Sequence, residues 1–166
     1  MEKIIISTQN SNNVEIEKKF LLKENLPELT NGKKIIQAYI FINDEKELRI
    51  RISENNCLLS IKVDMNSIVR EEFEYVIPIK DGQRLINIAS SNPPIEKNRY
   101  FVIYDQMKWE IDIFERDNEG LILAEIELES PDQPFLKPSW VGKEVTQDKK
   151  YYNSNIYLNP YKNWKK

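Results

Sequence analysis

The stretch VEIEKKF, residues 14–20, alternates apolar and charged residues with a period of two. In a strand, residues two apart share a face, so Glu15, Glu17 and Lys19 project together while Val14 and Ile16 project the other way. Two carboxylates on neighbouring same-face positions repel each other. The pairing raises the question of what sits opposite these side chains.

Seven further segments carry the same alternation: 35–42, 47–53, 57–64, 70–79, 97–104, 107–115 and 121–129. Turn-forming clusters separate several of them, among them NGKK at 31–34, ENN at 54–56, DMNS at 64–67 and RDNEG at 116–120. Short connections between consecutive strands favour an antiparallel sheet, either curved or closed into a barrel. Helical signals are fewer. LPEL at 26–29 is read as one turn, DGQRLINIAS from Asp81 to Ser90 as a helix capped by Asp81, and VGKEVTQDKKYYN, 141–153, as holding another short helix.

Sorting each strand by parity isolates one charged face. It carries Glu15, Glu17 and Lys19; Arg49 and Arg51; Ser60 and Lys62; Arg70, Glu72 and Glu74; Lys97 and Arg99; Glu110 and Asp112; Glu125 and Glu127. The opposite face is largely apolar, with Leu48, Ile50 and Ile52, then Leu59, Ile61 and Val63, then Trp109, Ile111 and Ile113, then Ala124, Ile126 and Leu128. The plain explanation is a sheet with one wet and one dry face. Against it stand the near absence of neutral polar residues on the charged face, the pairing of like charges within strands, and the presence of both signs in quantity. Carboxylate pairs suit hard divalent cations, and lysine and arginine pairs suit phosphate oxygens. In a closed barrel these faces line the interior, and the outward apolar residues then need cover from the 81–90 helix and the aromatic C-terminal segment.

Composition limits the chemistry. The 166 residues are 40% hydrophobic and 31% charged, with a net charge of −3, so no overall field draws in nucleic acid and an anion site must be local. A chain of this size buries roughly two-thirds of its unfolded surface, enough for a substantial core. With no histidine, the commonest general base and zinc ligand are missing. The single cysteine, Cys57, excludes an intrachain disulfide. Its parity with Leu59 and Ile61 makes it a small buried hydrophobe. Trp109 and Trp140 read as packing residues, and Tyr39 fits either the charged interior or a packed barrel end. The longest early apolar run, Ile4 to Ile6, is too short for a signal peptide or membrane span, so the expectation is a cytoplasmic protein with no membrane or nucleic-acid partner.

In order, these segments resemble the CYTH domain, the triphosphate tunnel metalloenzyme family. The resemblance rests on EIEK (15–18) with Lys19, LRIR (48–51), LSIK (59–62), REEFE (70–74), EKNRY (96–100), WEIDIF (109–114), AEIEL (124–128) and WVGKEVTQDKKYYN (140–153). It looks most like the short bacterial members that act on inorganic tripolyphosphate. What the resemblance implies is an α+β, mostly β fold over 1–166 as one domain: an eight-stranded antiparallel closed barrel with a charged interior and a few covering helices. It implies a metal-dependent hydrolase of a small triphosphate, with magnesium or manganese as cofactor. Glu15, Glu17, Glu125 and Glu127 resemble the family's metal ligands. Glu72, Glu74 and Asp112 resemble the acids that hold a second metal or activate water. Lys19, Arg49, Arg51, Lys62, Lys97 and Arg99 resemble the phosphate ligands, with Arg70 and Lys150 as further members and Lys97 also counted among the catalytic groups. Adenylate cyclase, an organic triphosphatase and a polyphosphate-binding module without turnover remain as alternatives. The oligomeric state, a homodimer included, is open.

Overall fold

A computed structural model describes residues 14–23, 25–64 and 69–164. The strands run β1 Val14–Leu22, β2 Lys33–Ile42, β3 Lys46–Ser53, β4 Asn56–Asp64 and β5 Val69–Val76. The helix α1, Ile79–Ala89, then leads to β6 Ile95–Tyr104, β7 Met107–Phe114, β8 Ile122–Glu127 and β9 Val141–Glu144, and α2 spans Asn153–Leu158.

All pairings are antiparallel, in the order β5-β4-β3-β2-β6-β7-β8-β1, and β1 also pairs with β5. That last pairing closes an eight-stranded ring. β1 is the closing strand because its two ends do different things. Residues 14–16 pair with 71–69 of β5, residues 17–21 pair with 127–123 of β8, and Phe20 and Leu22 also take β9 as neighbour. β9 has no alternation in the sequence, and Gly142 sits in it because a Cβ there would lie 2.9 Å from the Leu21 carbonyl oxygen. All eight alternating segments are strands, each within three residues of its expected ends.

An eight-stranded barrel has an interior just wide enough for side chains or one small ligand. Here that interior takes the charged faces, and the hydrophobic core forms outside and at one end. On one flank α1 packs over β2, β3 and β4, burying Ile86 against Ile50 and Cys57. The approach is close enough that a Cβ on Gly82 would lie 2.2 Å from Cys57 Sγ. On the other flank Phe20, Trp109, Ile111, Ala124 and Ile126 are covered by Phe135 and Trp140, with the Trp109 and Trp140 rings edge to face at 5.5 Å. Fully burying an aliphatic residue such as Ile50 or Ile111 contributes about 1.5–3 kcal/mol, so these outer cores offset the cost of filling the middle with charge.

Three local expectations differ. Pro78, not Asp81, is the residue before the first turn of α1, and Asp81 lies inside that turn, where its charge still complements the helix dipole. LPEL, 26–29, forms no helical turn. The segment 141–153 opens as β9 rather than as helix; its short helix is a single 3-10 turn at Lys149–Tyr151, and α2 begins at Asn153. Among the described residues no helix is long and apolar enough to cross a membrane.

Candidate active site

Period-two alternation aims the odd-numbered residues of β1 and β3 and the even-numbered residues of β7 at the barrel axis. The result is a tunnel with two connected chambers. The outer chamber, of about 600 Å³, opens past Val14, Lys33, Asn56, Phe101 and Lys108. The inner one, of about 60 Å³, is lined by Lys19, Arg49, Arg51, Lys62, Lys97 and Arg99 together with Glu15, Glu17, Glu47, Glu110, Glu125 and Glu127. The six cations expected to grip phosphate therefore meet in a single cavity.

The deep end is closed by the C-terminal segment. Tyr152 and Asn153 line the inner chamber, and Asn153 Oδ1 accepts from Lys97 Nζ at 3.2 Å. Behind them the Tyr157 ring packs on Tyr39 at 5.2 Å, within the cluster of Ile95, Phe114, Leu123 and Ile156. Tyr39 thus fills both roles open to it in the sequence, since it lines the chamber and packs at the barrel end. Its hydroxyl accepts from Gln37 Nε2 at 2.8 Å.

Ion pairs bind neighbouring strands into a network. Lys62 Nζ reaches Glu15 at 2.5 Å and Glu72 at 3.3 Å. Arg49 Nη2 donates to Glu72 at 2.9 Å, Arg51 Nη2 to Glu74 at 2.8 Å, and Ser60 Oγ to the same Glu74 oxygen at 2.8 Å. Lys19 is bonded to Glu125 and lies 3.4 Å from Glu17. Arg99 grips Asp112 with two bonds of 2.7 Å and also reaches Glu110 and Glu125. Burial lowers the Lys19 pKa, but Glu125 and Glu17 outweigh it and hold the ammonium above its usual range. Glu125, buried but ringed by Lys19, Arg99 and Lys97, stays far below the ordinary carboxylate range. Lys97 goes the other way: burial, helped by Arg99, brings it down to about 8 despite Asp112.

Not every expected residue reaches the cavity. Asp112 is fully buried in the wall, spent on Lys97 and Arg99, and lines neither chamber; its strand neighbour Glu110 lines both. Lys150 is exposed on the outside, 4.8 Å from the Tyr151 ring centre and 5.4 Å from that of Trp164. It stands outside because its turn lies beyond the barrel wall. Arg70 pairs through its backbone with Glu15, and its side chain lies outside the described residues. Glu72 and Glu74 line the outer chamber. Glu47 and Asn153 have no role in the sequence reading, and Tyr152, read there as part of the aromatic outer cover, lines the inner chamber instead. The inward parity of Glu47 was a usable signal, whereas the other two are placed only by tertiary packing.

The wall also brings like charges together. Glu17 lies directly opposite Glu127 across β1 and β8, and Glu110 opposite Glu125 across β7 and β8. Partial burial and the nearby Glu15 and Glu110 raise the Glu127 carboxyl above its usual value. Among the described residues no three acidic side chains already form a tight metal cage; the deep carboxylates turn to lysine or arginine instead.

Known proteins are similar to this chain over most of its length. An inorganic triphosphatase of Acetivibrio thermocellus is 41% identical over 152 residues, spanning 91% of this chain and 97% of its own. One of Nitrosomonas europaea is 32% identical over 148 residues, spanning 87% and 97%. The crystal structure of an inorganic triphosphatase, 31% identical, superposes with a TM-score of 0.65 over 87% of this chain and 95% of its own. The CYTH domain pattern itself matches residues 13–156, from the first tunnel strand into α2, and the chain belongs to the CYTH domain family.

Proposed function

We propose that this chain is a divalent-metal-dependent hydrolase of triphosphate compounds, with inorganic tripolyphosphate, cut to pyrophosphate and phosphate, as the preferred substrate. The observation that carries the reading is the convergence of Lys19, Arg49, Arg51, Lys62, Lys97 and Arg99 on one enclosed cavity. Each chamber is walled by carboxylates as well, so the site suits an anion that arrives with cations rather than an anion alone. The relatives named inorganic triphosphatases support the same choice of substrate.

The donor set fits a hard divalent ion. Glu17 and Glu127 oppose each other in register with Glu15 beside them, and carboxylate oxygens are the ligands magnesium and manganese prefer. Glu15, Glu17, Glu125 and Glu127 would hold the ion, with Glu74 and Asp112 as the remaining candidates. Asp112 would first have to release Lys97 and Arg99. The bound ion would supply positive charge to phosphate oxygens and acidity to nearby water.

The chain's own groups account for the rest. Phosphoryl transfer leaves the protein mainly positioning and charge stabilisation to provide. The arginines bind phosphate oxygens through their planar forks, and Arg49 Nε is buried with no bonding partner, a donor ready for such an oxygen. Glu72 and Glu74 stand at the outer chamber, held by Arg49 and Arg51, where either carboxylate can take the proton of an attacking water once substrate draws the arginine away. Lys97, on β6, and Arg70, on β5, are the remaining candidates for the cationic set.

Phosphate release from tripolyphosphate, ATP, thiamine triphosphate and long polyphosphate, each with magnesium, manganese or no metal, tests the reading. Cyclic AMP is followed in parallel. Fast, metal-dependent release from tripolyphosphate alone is expected. Binding without release in either metal, or preferred turnover of a nucleotide, refutes it.

A further inference from the structure

Two residues line both the inner chamber and a separate cleft on the rear of the barrel: Glu47 and Tyr152. The rear cleft, of about 270 Å³, lies between the β2–β3 turn at Asn43 and Lys46 and the α2 residues Ser154 and Leu158. Glu47 is half-buried on the inward face of β3, opposite Lys62, and Tyr152 is 8% exposed, immediately before α2. These two side chains form part of the wall between the inner chamber and the rear cleft, beside the floor made by α2.

We propose that Glu47 and Tyr152 form a stop for the leading end of a linear condensed phosphate. The inference rests on the reading of the tunnel as a triphosphate site and adds how the substrate is registered there. A chain entering through the open mouth passes Arg99 and Arg51, then Arg49 and Lys97, and then meets a carboxylate and a phenol ring. An ionised Glu47 carboxylate offers a terminal phosphate no hydrogen-bond donor, unlike the cations before it, and the ring narrows the remaining opening. The chain end therefore halts in the inner chamber, and no phosphate chain threads through the barrel. A long polyphosphate can be held only by its ends.

Calorimetric titration of tripolyphosphate and of size-fractionated short and long polyphosphate tests this, both without divalent metal and with calcium. Wild-type protein should bind tripolyphosphate one to one and saturate long chains at two protein molecules per chain, whatever the length. Tyr152→Ala and Glu47→Gln should still bind tripolyphosphate, but the number bound per long chain should grow with its length. Tyr152→Phe should behave as wild type. Wild-type stoichiometry that grows with chain length overturns the stop and leaves the hydrolase reading intact. So do Tyr152→Ala and Glu47→Gln proteins that bind tripolyphosphate yet stay at two per chain. Wild-type protein that binds no tripolyphosphate in either condition overturns the functional reading and the stop with it.

Discussion

Lys97 Nζ lies 2.5 Å from Asp112 Oδ2 across β6 and β7, and each side chain is 1% exposed. A buried pair of this kind contributes little net stability over an apolar pair, but breaking it leaves a charge with neither water nor partner. Asp112 also holds Arg99, which keeps Glu110 and Glu125, so its loss strands Lys97, whose carboxylate partner it is. Asp112→Ala is expected to cost about 3–5 kcal/mol in urea unfolding, on the scale for an uncompensated buried charge. Asp112→Asn, which keeps the shape and one acceptor, should cost less. An Asp112→Ala protein as stable as wild type would remove the structural role assigned to this carboxylate.

The low proton affinity of Lys97, about 8, has two consequences with defined signs. The folded value lies below the unfolded 10.5, so the unfolded chain binds more protons between them. From this group alone, stability rises with pH from about 8 towards 10.5. Substrate binding goes the opposite way, because the ammonium is lost over the same range. The apparent KM for tripolyphosphate should climb as pH passes about 8, and Lys97→Arg, which stays charged, should flatten that climb. Steady-state kinetics across pH 7 to about 9.5 provide the check.

Glu125 governs the acid side. Its folded value is held far below the unfolded 4.5 by Lys19, Arg99 and Lys97, against the opposing effect of burial. Its stabilisation is complete above about 4.5 and is lost progressively as pH falls below it. The melting temperature should decline through that range, and Glu125→Gln should lower it at neutral pH while flattening the acid decline.

Glu17 and Arg51 lie on strands held by full ladders, so removing either side chain leaves the barrel closed. Glu17→Ala and Arg51→Ala should each lower tripolyphosphate turnover by about a hundredfold or more, the scale of one lost electrostatic contact in an active site. Circular dichroism should be unchanged. Near-normal turnover in both would argue for a different site.

Gly82 and Cys57 set how closely α1 approaches β4. Gly82→Ala would drive a methyl group to 2.2 Å from Cys57 Sγ and should cost about 1–3 kcal/mol, the range for overpacking. Adding Cys57→Ala removes the clashing sulfur and should recover part of the loss, a coupling readable by a double-mutant cycle.

The alternation beginning at Val14 made the eight barrel strands and their charged face readable, because side-chain direction along a strand has a fixed period. Charge type along that face was equally local information, and the six cations read on it all line the inner chamber. Asp112 lines neither chamber for a reason parity cannot reveal: it shares the inward face with Glu110, but it sits one pleat deeper, where Lys97 and Arg99 close over it.

What the sequence determines by itself, then, is the strand set, the sign of charge on each face and the absence of histidine chemistry, since each follows from residue type and spacing alone. Tertiary structure decides the rest. The β1–β5 pairing closes the sheet into a ring, and the contact of Tyr157 with Tyr39 seats α2 across one end, so that the tunnel has a floor. Both depend on contacts between residues far apart in the chain, whose register is set by packing free energy, and no local pattern encodes it.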